Sequence, residues 1–338
     1  MRVLLTGGAG YIGSHTLVEL LSRGYEVCVI DNLVNSYQES LKRVRALTKK
    51  EFDFYLIDIC DEKALSQVFE AFNPEIVIHF AGLKSVKESV NEPLKHYINN
   101  VSGSLNLLKV MDDYSCSKIV FSSSATVYGD PDYLPIDEDH KLSPKNPYGH
   151  SKLMVEGILR DWSCEYKQSC ILRYFNPIGA HESGVIGECS NDIPNNLLPF
   201  IENVVSGHEK HLKVFGGDYD TPDGTGIRDY IHVVDLAKSH VDAIKSFESI
   251  GSFEVFNVGT GKGHSVLEVL ESYSEVIETD IPYIFENRRE GDVTESVANP
   301  SKIKAMFSWE AKLTLLDAVK SSRNWKLKNP NGFKESAE

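Results

Sequence analysis

Thr6-Gly7-Gly8-Ala9-Gly10-Tyr11-Ile12-Gly13 is the stretch that decides the fold. It follows a short β-rich apolar run, Arg2–Thr6, and opens a segment, Tyr11–Ser22, whose apolar residues Ile12, Leu17, Leu20 and Leu21 recur at helical spacing. Glu26–Ile30 then returns to a strand pattern that ends at Asp31. A glycine string alone reads as a flexible turn. Between a strand and an amphipathic helix it reads as a dinucleotide cradle. Gly7 serves a tight turn, Gly10 lets backbone N–H groups approach a pyrophosphate, and Gly13 allows close helix-to-strand packing, with the helix N-terminus facing the negative charge.

Outward from this turn the alternation continues. Strand Phe52–Ile57, helix Glu62–Phe72, strand Ile76–Phe80, a helix around Tyr97–Met111 and strand Lys118–Ser122 follow in order. Parallel strands need such crossovers, so the expected fold is α/β: a Rossmann, doubly wound parallel sheet that binds NAD. Asp31 stands where a carboxylate usually accepts from the adenosine ribose hydroxyls, its other reading being a turn or cap residue. Asn32 follows it, with no adjacent arginine for a 2′-phosphate, which favours NAD over NADP. Asp58, at the end of the third strand, reads equally as a turn residue or as an adenine partner. After Phe175 the chain changes character. Loops rich in Gly, Asn, Asp and Pro (176–199 and 216–226) separate helices near Leu197–Ser206 and Val233–Phe247 from strand-like pieces near Val214 and Phe253–Val258. The expected division is 1–176 for the cofactor and 177–338 for a smaller α/β substrate-binding C-terminal domain, with interdigitation allowed.

Composition narrows the classes. The 338 residues carry a formal net charge of −14, which disfavours nucleic acid and requires any polyanionic ligand to find a local basic pocket. No apolar run approaches the ~20 residues of a membrane span. The first apolar stretch is too short and too early for a secretory signal, so the expected location is cytoplasmic. The six cysteines are scattered without a C-x-x-C pair, as suits reduced thiols, and no metal site is expected. His208 and His211 lack a completing ligand set and read as a solvated loop.

A second constellation follows the sheet. Asn146-Pro147 is a helix start, and Tyr148 and Lys152 then lie one turn apart on one face. A lysine ammonium there can stabilise a phenolate and bring the tyrosine down from its ordinary ~10 toward working pH, making Tyr148 a usable general base. Upstream, strand Lys118–Ser122 runs into Ser123, Ser124, Ala125 and Thr126, where a hydroxyl can bond a reacting oxygen. Singly, a Tyr/Lys pair is most often solvated and a serine run most often a turn.

In this order the glycine fingerprint, the serine at a strand end and Y-x-x-x-K resemble the short-chain dehydrogenase/reductase superfamily, in its extended nucleotide-sugar branch. The resemblance is closest to the UDP-glucose 4-epimerases and runs to about Pro330. Its carriers are TGGAGYIGSH, IHFAGLKSVKES, FSSSATVYGD, the Tyr148 helix, LRYFNPIGAH, IPNNLLPF, DGTGIRDYIHVVDLA and RREGDV. It implies that Ser124 positions the sugar 4-hydroxyl, that Tyr148 exchanges its proton, and that Lys152 lowers the tyrosine and holds the nicotinamide ribose. It implies NAD contacts from Gly7, Gly10, Tyr11, Ile12, Gly13, Asp31, Asn32, Asp58, Ile59, Phe80, Ala81, Gly82, Lys84, Asn99, Lys152 and Phe175. It assigns Ser124, Tyr148, Asn176 and Asn196 to the substrate, Phe215 to the uracil neighbourhood, and Arg228, Arg289 and Asp292 to the diphosphate and ribose. Without it, Arg228-Asp229 and Arg289–Asp292 read as surface ion pairs.

The implied reaction is reversible C4 epimerisation of UDP-glucose and UDP-galactose through a 4-keto sugar, with NAD retained as a prosthetic group in a homodimer formed through Tyr97–Met111 and Ser151–Tyr166. In the family the position of Ser296 lines the hexose pocket, and a tyrosine there goes with exclusion of a 2-acetamido group. The small Ser296 leads to the expectation that the N-acetylated UDP-sugars are also epimerised. Two rivals stand beside this reading. A 4,6-dehydratase needs an acid beside the serine, where this chain has Ala125-Thr126. A non-catalytic NAD-binding regulator would have no use for Ser124, Tyr148 and Lys152.

Overall fold

The computed structural model describes residues 1–189, 196–289 and 291–334. Strands β1 (Arg2–Thr6), β2 (Glu26–Asp31), β3 (Asp53–Leu56), β4 (Ile76–His79), β5 (Lys118–Ser124) and β6 (Gln168–Tyr174) come first. Then follow β7 (Asn176–Ile178), β8 (Leu212–Phe215), β9 (Ile227–His232), β10 (Phe253–Val258), β11 (Gly263–Ser265), β12 (Tyr283–Glu286) and β13 (Glu295–Ser296). Seven of them form one sheet in the order β10-β6-β5-β4-β1-β2-β3, every neighbouring pair parallel. The order reverses between β1 and β4, and the crevice beyond the carboxyl ends of the strands at such a reversal is where doubly wound sheets take ligands.

The strands are apolar in runs because helices cover both faces. Val3, Leu5 and Val29 meet Leu17, Leu20 and Leu21 of the Tyr11–Ser22 helix on one side. Leu4, Cys28 and Ile30 share a second core with Leu65 and Phe69 of the Glu62–Phe72 helix and with Leu107 and Met111. Helix starts follow their sequence signals. Asp61 accepts from the Ala64 N–H at 3.0 Å, and Asn146 accepts from the Gly149 N–H at 2.9 Å with Pro147 in the first turn.

Several elements differ from the sequence expectation. The helix expected over Tyr97–Met111 begins as a π-helical turn, Ile98–Ser102, and continues as Gly103–Asp113. Strand β5 runs on through Ser124 because each of its residues pairs with β6. The helix Gln38–Thr48 is one that the sequence reading lacks; its sequence is largely polar and charged, with Leu41 and Val44 fully buried in the core and Leu47 packed against it. Phe253–Val258 was read with the second half but is the edge strand of the large sheet, paired with β6 from Phe253↔Ser169 to Val258↔Tyr174. The Val233–Lys245 helix likewise returns to pack against Tyr11–Ser22.

The remaining second half builds a separate core around Ile178, Leu198, Ile201, Val214, Tyr230, Tyr273 and Val319. There β9 pairs with β7, β11 and β13, and β8 pairs with β12. Its helices Val266–Ile277 and Leu315–Lys328 both start in capping boxes, Ser265 with Glu268 and Thr314 with Asp317.

Candidate active site

The end of β5 and the start of the Pro147–Trp162 helix bring three side chains together. Ser124 closes the strand, and its Oγ accepts from the Thr126 N–H at 3.2 Å and from the Thr126 hydroxyl at 3.0 Å. Gly149 allows the helix to approach that turn: a Cβ there would lie 3.0 Å from the Thr126 carbonyl oxygen and 2.9 Å from Pro144 Cβ. Tyr148 thereby stands beside Ser124. Burial pushes its phenol above the ordinary value, while the Ser124 hydroxyl pulls it down. Lys152 is 5% exposed, donates from Nζ to the Ser122 carbonyl at 2.7 Å, and lies 5.9 Å from the centre of the Tyr148 ring. Burial lowers its pKa to about 8, with the nearby Glu156 carboxylate raising it. The Lys152 ammonium is anchored on the Ser122 carbonyl, and the groups acting on the phenol in this arrangement are its burial and the Ser124 hydroxyl.

The glycine turn forms the adjoining crevice. A Cβ on Gly7 would lie 2.7 Å from the Ala81 nitrogen, and one on Gly13 would lie 2.4 Å from the Gly7 carbonyl oxygen, so the turn, β4 and the helix pack at backbone contact. Gly10 precedes the helix without any side-chain cap, which leaves the helix N-terminus open to an anion. Asp31 sits at the end of β2. Its Oδ2 accepts from the Ala9 N–H at 3.0 Å, and its Oδ1 from the Leu33 N–H and the Ser36 hydroxyl, each at 2.8 Å. Burial raises its carboxyl against those donors. Asp58 accepts from Asn32 Nδ2 and from the Cys60 N–H, each at 2.8 Å. Burial acts to raise it, but these donors together hold it below the ordinary value. An uncapped helix start, a glycine-rich turn and two carboxylates, Asp31 at the end of β2 and Asp58 just beyond β3, fit a dinucleotide.

Others of the expected cofactor set have the following surroundings. Ile59 follows Asp58 into the core, and Phe80 lies 4.8 Å, centre to centre, from the His240 ring. The Ala81 N–H donates to the Thr6 hydroxyl at 3.2 Å. Gly82 leads into Leu83, whose N–H is held by Asn99 at 3.2 Å and by Asn100 at 2.7 Å. Tyr11 donates to the Gly179 carbonyl at 2.6 Å, which ties the first helix to the second half, and buried Phe175 donates its N–H to Val258 at 3.1 Å.

Of the expected substrate residues in the second half, Asn176, Phe215, Arg228 and Ser296 lie on strands, Asn196 precedes the Leu197–Val205 helix, and Arg289 and Asp292 lie in the loop between β12 and β13. Asn176 pairs with Tyr230 across β7 and β9, and Arg228 pairs with Ser296 across β9 and β13. Phe215 ends β8, and the Arg289 guanidinium lies 3.9 Å over its ring. Asp292 donates its N–H to the Arg289 carbonyl at 3.3 Å. The stretch Ile193–Asn195 and Glu290 lie outside the described residues. The alternative of an Arg228–Asp229 surface pair is corrected. Strand alternation turns Asp229 inward, where it is fully buried and accepts from the Thr260 N–H and hydroxyl, the Gly261 N–H and the Ala298 N–H at 2.7–3.2 Å. Arg228 donates instead to the Ile227 carbonyl at 2.8 Å.

Sequence reasoning missed two linking groups. Glu188 accepts from Asn196 Nδ2 at 2.6 Å and stands 3.6 Å from Lys84 Nζ, so one carboxylate joins an expected cofactor contact to an expected substrate contact. Arg288, beside Arg289, pairs with Asp218 at 2.8 Å and lies 4.1 Å over the Tyr219 ring. Nothing local marks Glu188; the doubled arginine was visible but its partner was not. His208 bonds to Ser206 at 2.8 Å in an exposed turn.

Comparisons with known proteins bear on this arrangement. The GDP-mannose 4,6 dehydratase family model matches residues 4–322. The chain is 50% identical over 343 residues to the UDP-glucose 4-epimerase of Dictyostelium discoideum, covering 99% of this chain and 98% of that one. It is 50% identical over 343 residues to the UDP-glucose 4-epimerase of Bacillus subtilis (strain 168), covering 99% and 100%. The crystal structure of UDP-glucose 4-epimerase from Bifidobacterium longum in complex with NAD+ and UDP superposes with a TM-score of 0.94 at 49% identity, covering 98% of this chain and 100% of that one. The turn after Ser124 carries Ala125 and Thr126 and so offers no carboxylate for a dehydration.

Proposed function

The chain belongs to the UDP-glucose 4-epimerase family, within the extended short-chain dehydrogenase/reductases, and we propose on that premise how its residues divide the work. The enzyme epimerises UDP-glucose and UDP-galactose at C4 through a transient 4-keto sugar, with NAD as cofactor. NAD, when bound, supplies a positively charged ring that accepts and returns the C4 hydride and favours the phenolate of Tyr148. Tyr148 takes the 4-hydroxyl proton and gives it back. Ser124, bonded between Thr126 and the Tyr148 side, orients the reacting oxygen. Lys152 keeps a positive charge next to the phenol while its anchor on Ser122 fixes its height in the crevice.

Residues 1–176 hold the cofactor and 177–338 the UDP-sugar, with 233–258 returning to the first part. The Gly7–Gly13 turn and helix start take the pyrophosphate, with Asp31, Asn32 and Asp58 at the adenosine end. Tyr11, Ile12, Ile59, Phe80, Ala81, Gly82, Lys84, Asn99 and Phe175 close around it. Arg228 and Arg289 face the UDP phosphates, helped by Asp292, with Phe215 at the uracil and Asn176 and Asn196 at the sugar side. The observation that carries this reading is the placement of Ser124, Tyr148 and Lys152 at one strand end beside the glycine crevice.

Three finer points belong to the same reading. Ser296 is small and partly buried beside Arg228, which leaves room for a 2-acetamido group, so the N-acetylated pair is also a substrate. Leu94, Ile98 and Met154 are 73%, 60% and 48% exposed around one groove, and a second copy covers them in a homodimer. All six cysteines are free, and among the described residues no helix is long and apolar enough to cross a membrane; a reducing cytoplasm suits that chemistry.

The test is incubation of the purified protein, without added NAD, with UDP-galactose and separately with UDP-N-acetylgalactosamine, followed by chromatography of the sugars. Glucose and N-acetylglucosamine products together support retained NAD and the open Ser296 pocket. Glucose alone removes the Ser296 point, and no conversion even with NAD supplied removes the residue roles.

A further inference from the structure

Behind the strand end that carries Ser124 lies an ionic pair with no part in the reaction as derived so far. Glu156 and Arg173 have side chains 1% and 2% exposed, and the guanidinium forks onto the carboxylate, Nε to Oε1 at 3.0 Å and Nη2 to Oε2 at 2.6 Å. The Ser123 hydroxyl donates to the same Oε1. Arg173 Nη1 donates to the Tyr128 oxygen at 2.9 Å, the Tyr128 hydroxyl donates to Asn257 Oδ1 at 2.6 Å, and Asn257 Nδ2 donates to the Ile136 carbonyl at 2.9 Å. One buried chain of bonds thus ties together β5, the turn after it, the Pro147–Trp162 helix, β6 and β10.

Its position relative to the site is the reason to assign it a role. Glu156 lies one helical turn beyond Lys152, which lies one turn beyond Tyr148, so the three share a helix face. Ser123 is the residue before Ser124. A buried ion pair is a poor device for stability alone, since well-packed apolar residues of similar volume often serve as well or better. What it does supply is a fixed geometry and a fixed balance of charge.

We propose that Glu156 and Arg173 are positioning residues of the epimerisation, locking the Ser123–Ser124 strand end to the Tyr148–Lys152 helix and holding a balanced charge behind Lys152. The inference rests on the reading of Tyr148 as base and Lys152 as its cationic neighbour. Burial lowers Lys152 to about 8 and Glu156 raises it, so the carboxylate acts on the lysine. Other titratable groups face this region. His79 on β4 is pushed down to about 3 by burial and by Lys152, and Tyr174 on β6 faces Tyr148. Tyr128 bonds to Arg173, and Glu138, Asp139, His140, Arg160, Glu254 and Lys302 line the cavity beside it.

The experiment compares kcat–pH profiles of the NAD-loaded wild type, Glu156→Gln, Arg173→Met and the double variant. Glu156→Gln leaves Arg173 uncompensated, so both limbs are expected to move to lower pH by about half a unit or more, with kcat down about tenfold. Arg173→Met is expected to move them the other way, and the double variant to bring them back. Profiles and kcat equal to wild type in the single variants, or shifts of one sign in both, overturn the proposal. Where a single variant fails to fold, Glu156→Asp decides. It keeps the charge and shortens the reach, so wild-type limbs with kcat down about tenfold support the proposal, and wild-type kcat overturns it. Tyr148→Phe is the separate control: full activity in that variant removes the base assignment, whatever the pair does.

Discussion

Lys152 donates from Nζ to the carbonyl oxygen of Ser122 at 2.7 Å, two residues before the serine that stands beside Tyr148. The bond places a charged group, 5% exposed, against a backbone acceptor and 4.9 Å from the centre of the Phe121 ring. A single acceptor does not replace the water a lysine loses, which is why its pKa falls to about 8. On the proposed reading the site holds a cation where the chemistry uses one, at a cost in stability.

Lys152→Met is therefore expected to abolish most activity yet stabilise the fold at pH 7, by about 1–3 kcal/mol. The sign follows from protons bound. Below pH 8 the lysine is charged in both states and only the folded state bears the burial. As pH rises from about 8 toward 10.5 the folded lysine becomes neutral first, so the advantage of methionine shrinks. Urea titrations at pH 7 and pH 10 measure it; a variant less stable than wild type at pH 7 contradicts it.

Gly149→Ala tests the helix approach without touching a reacting group. The added Cβ would meet Pro144 at 2.9 Å and the Thr126 carbonyl at 3.0 Å, so the Tyr148 turn must move outward. We expect a loss of about 1–3 kcal/mol of stability and a fall in kcat of roughly a hundredfold, with NAD still bound. Steady-state kinetics beside a thermal melt separate the two effects.

Ser296→Tyr puts a ring beside Arg228 on the β9–β13 pairing. Turnover of the N-acetylated UDP-sugars is expected to fall by at least tenfold while UDP-galactose turnover changes little. Equal kcat/KM for both pairs in wild type and variant would show that another residue shapes that wall.

Ile98→Glu places a charge at the centre of the exposed Leu94–Ile98–Met154 patch. Light scattering is expected to read twice 37.8 kDa for wild type and a mass near 37.8 kDa for the variant. A wild-type mass near the monomer value removes the dimer.

Glu202 gives a pH signature away from the site. Burial raises its carboxyl to about 7 despite the Arg323 guanidinium 3.0 Å away. A folded-state pKa above the unfolded 4.5 means the folded state binds the extra proton, so this residue costs stability as pH rises from 4.5 through about 7. Glu202→Gln is expected to match wild type near pH 4.5 and to exceed it by about 2 kcal/mol at pH 8. Melting curves across that range check it; a difference independent of pH speaks against it.

The helix and strand periods, the glycine turn, the Asn146-Pro147 cap and the Tyr148–Lys152 spacing were legible because each is decided by neighbours within a few residues. The capping boxes at Ser265 and Thr314 carried a readable signal too, but their helices stand among loops that hid it. The tertiary structure alone decided the rest. Phe253–Val258 joins the large sheet because β6 offers it an open edge, and no local pattern names that partner. Asp229 looks like half of a surface pair in sequence, and only the arrival of Thr260, Gly261 and Ala298 makes it a buried clamp. Glu156 and Arg173 are 17 residues apart in the chain. Whether two such charges meet, and what they hold in place, depends on which strand end packs on which helix. Local sequence therefore determined most of the elements and the spacing of the candidate reacting groups, while burial and long-range pairing determined their partners and their proton affinities.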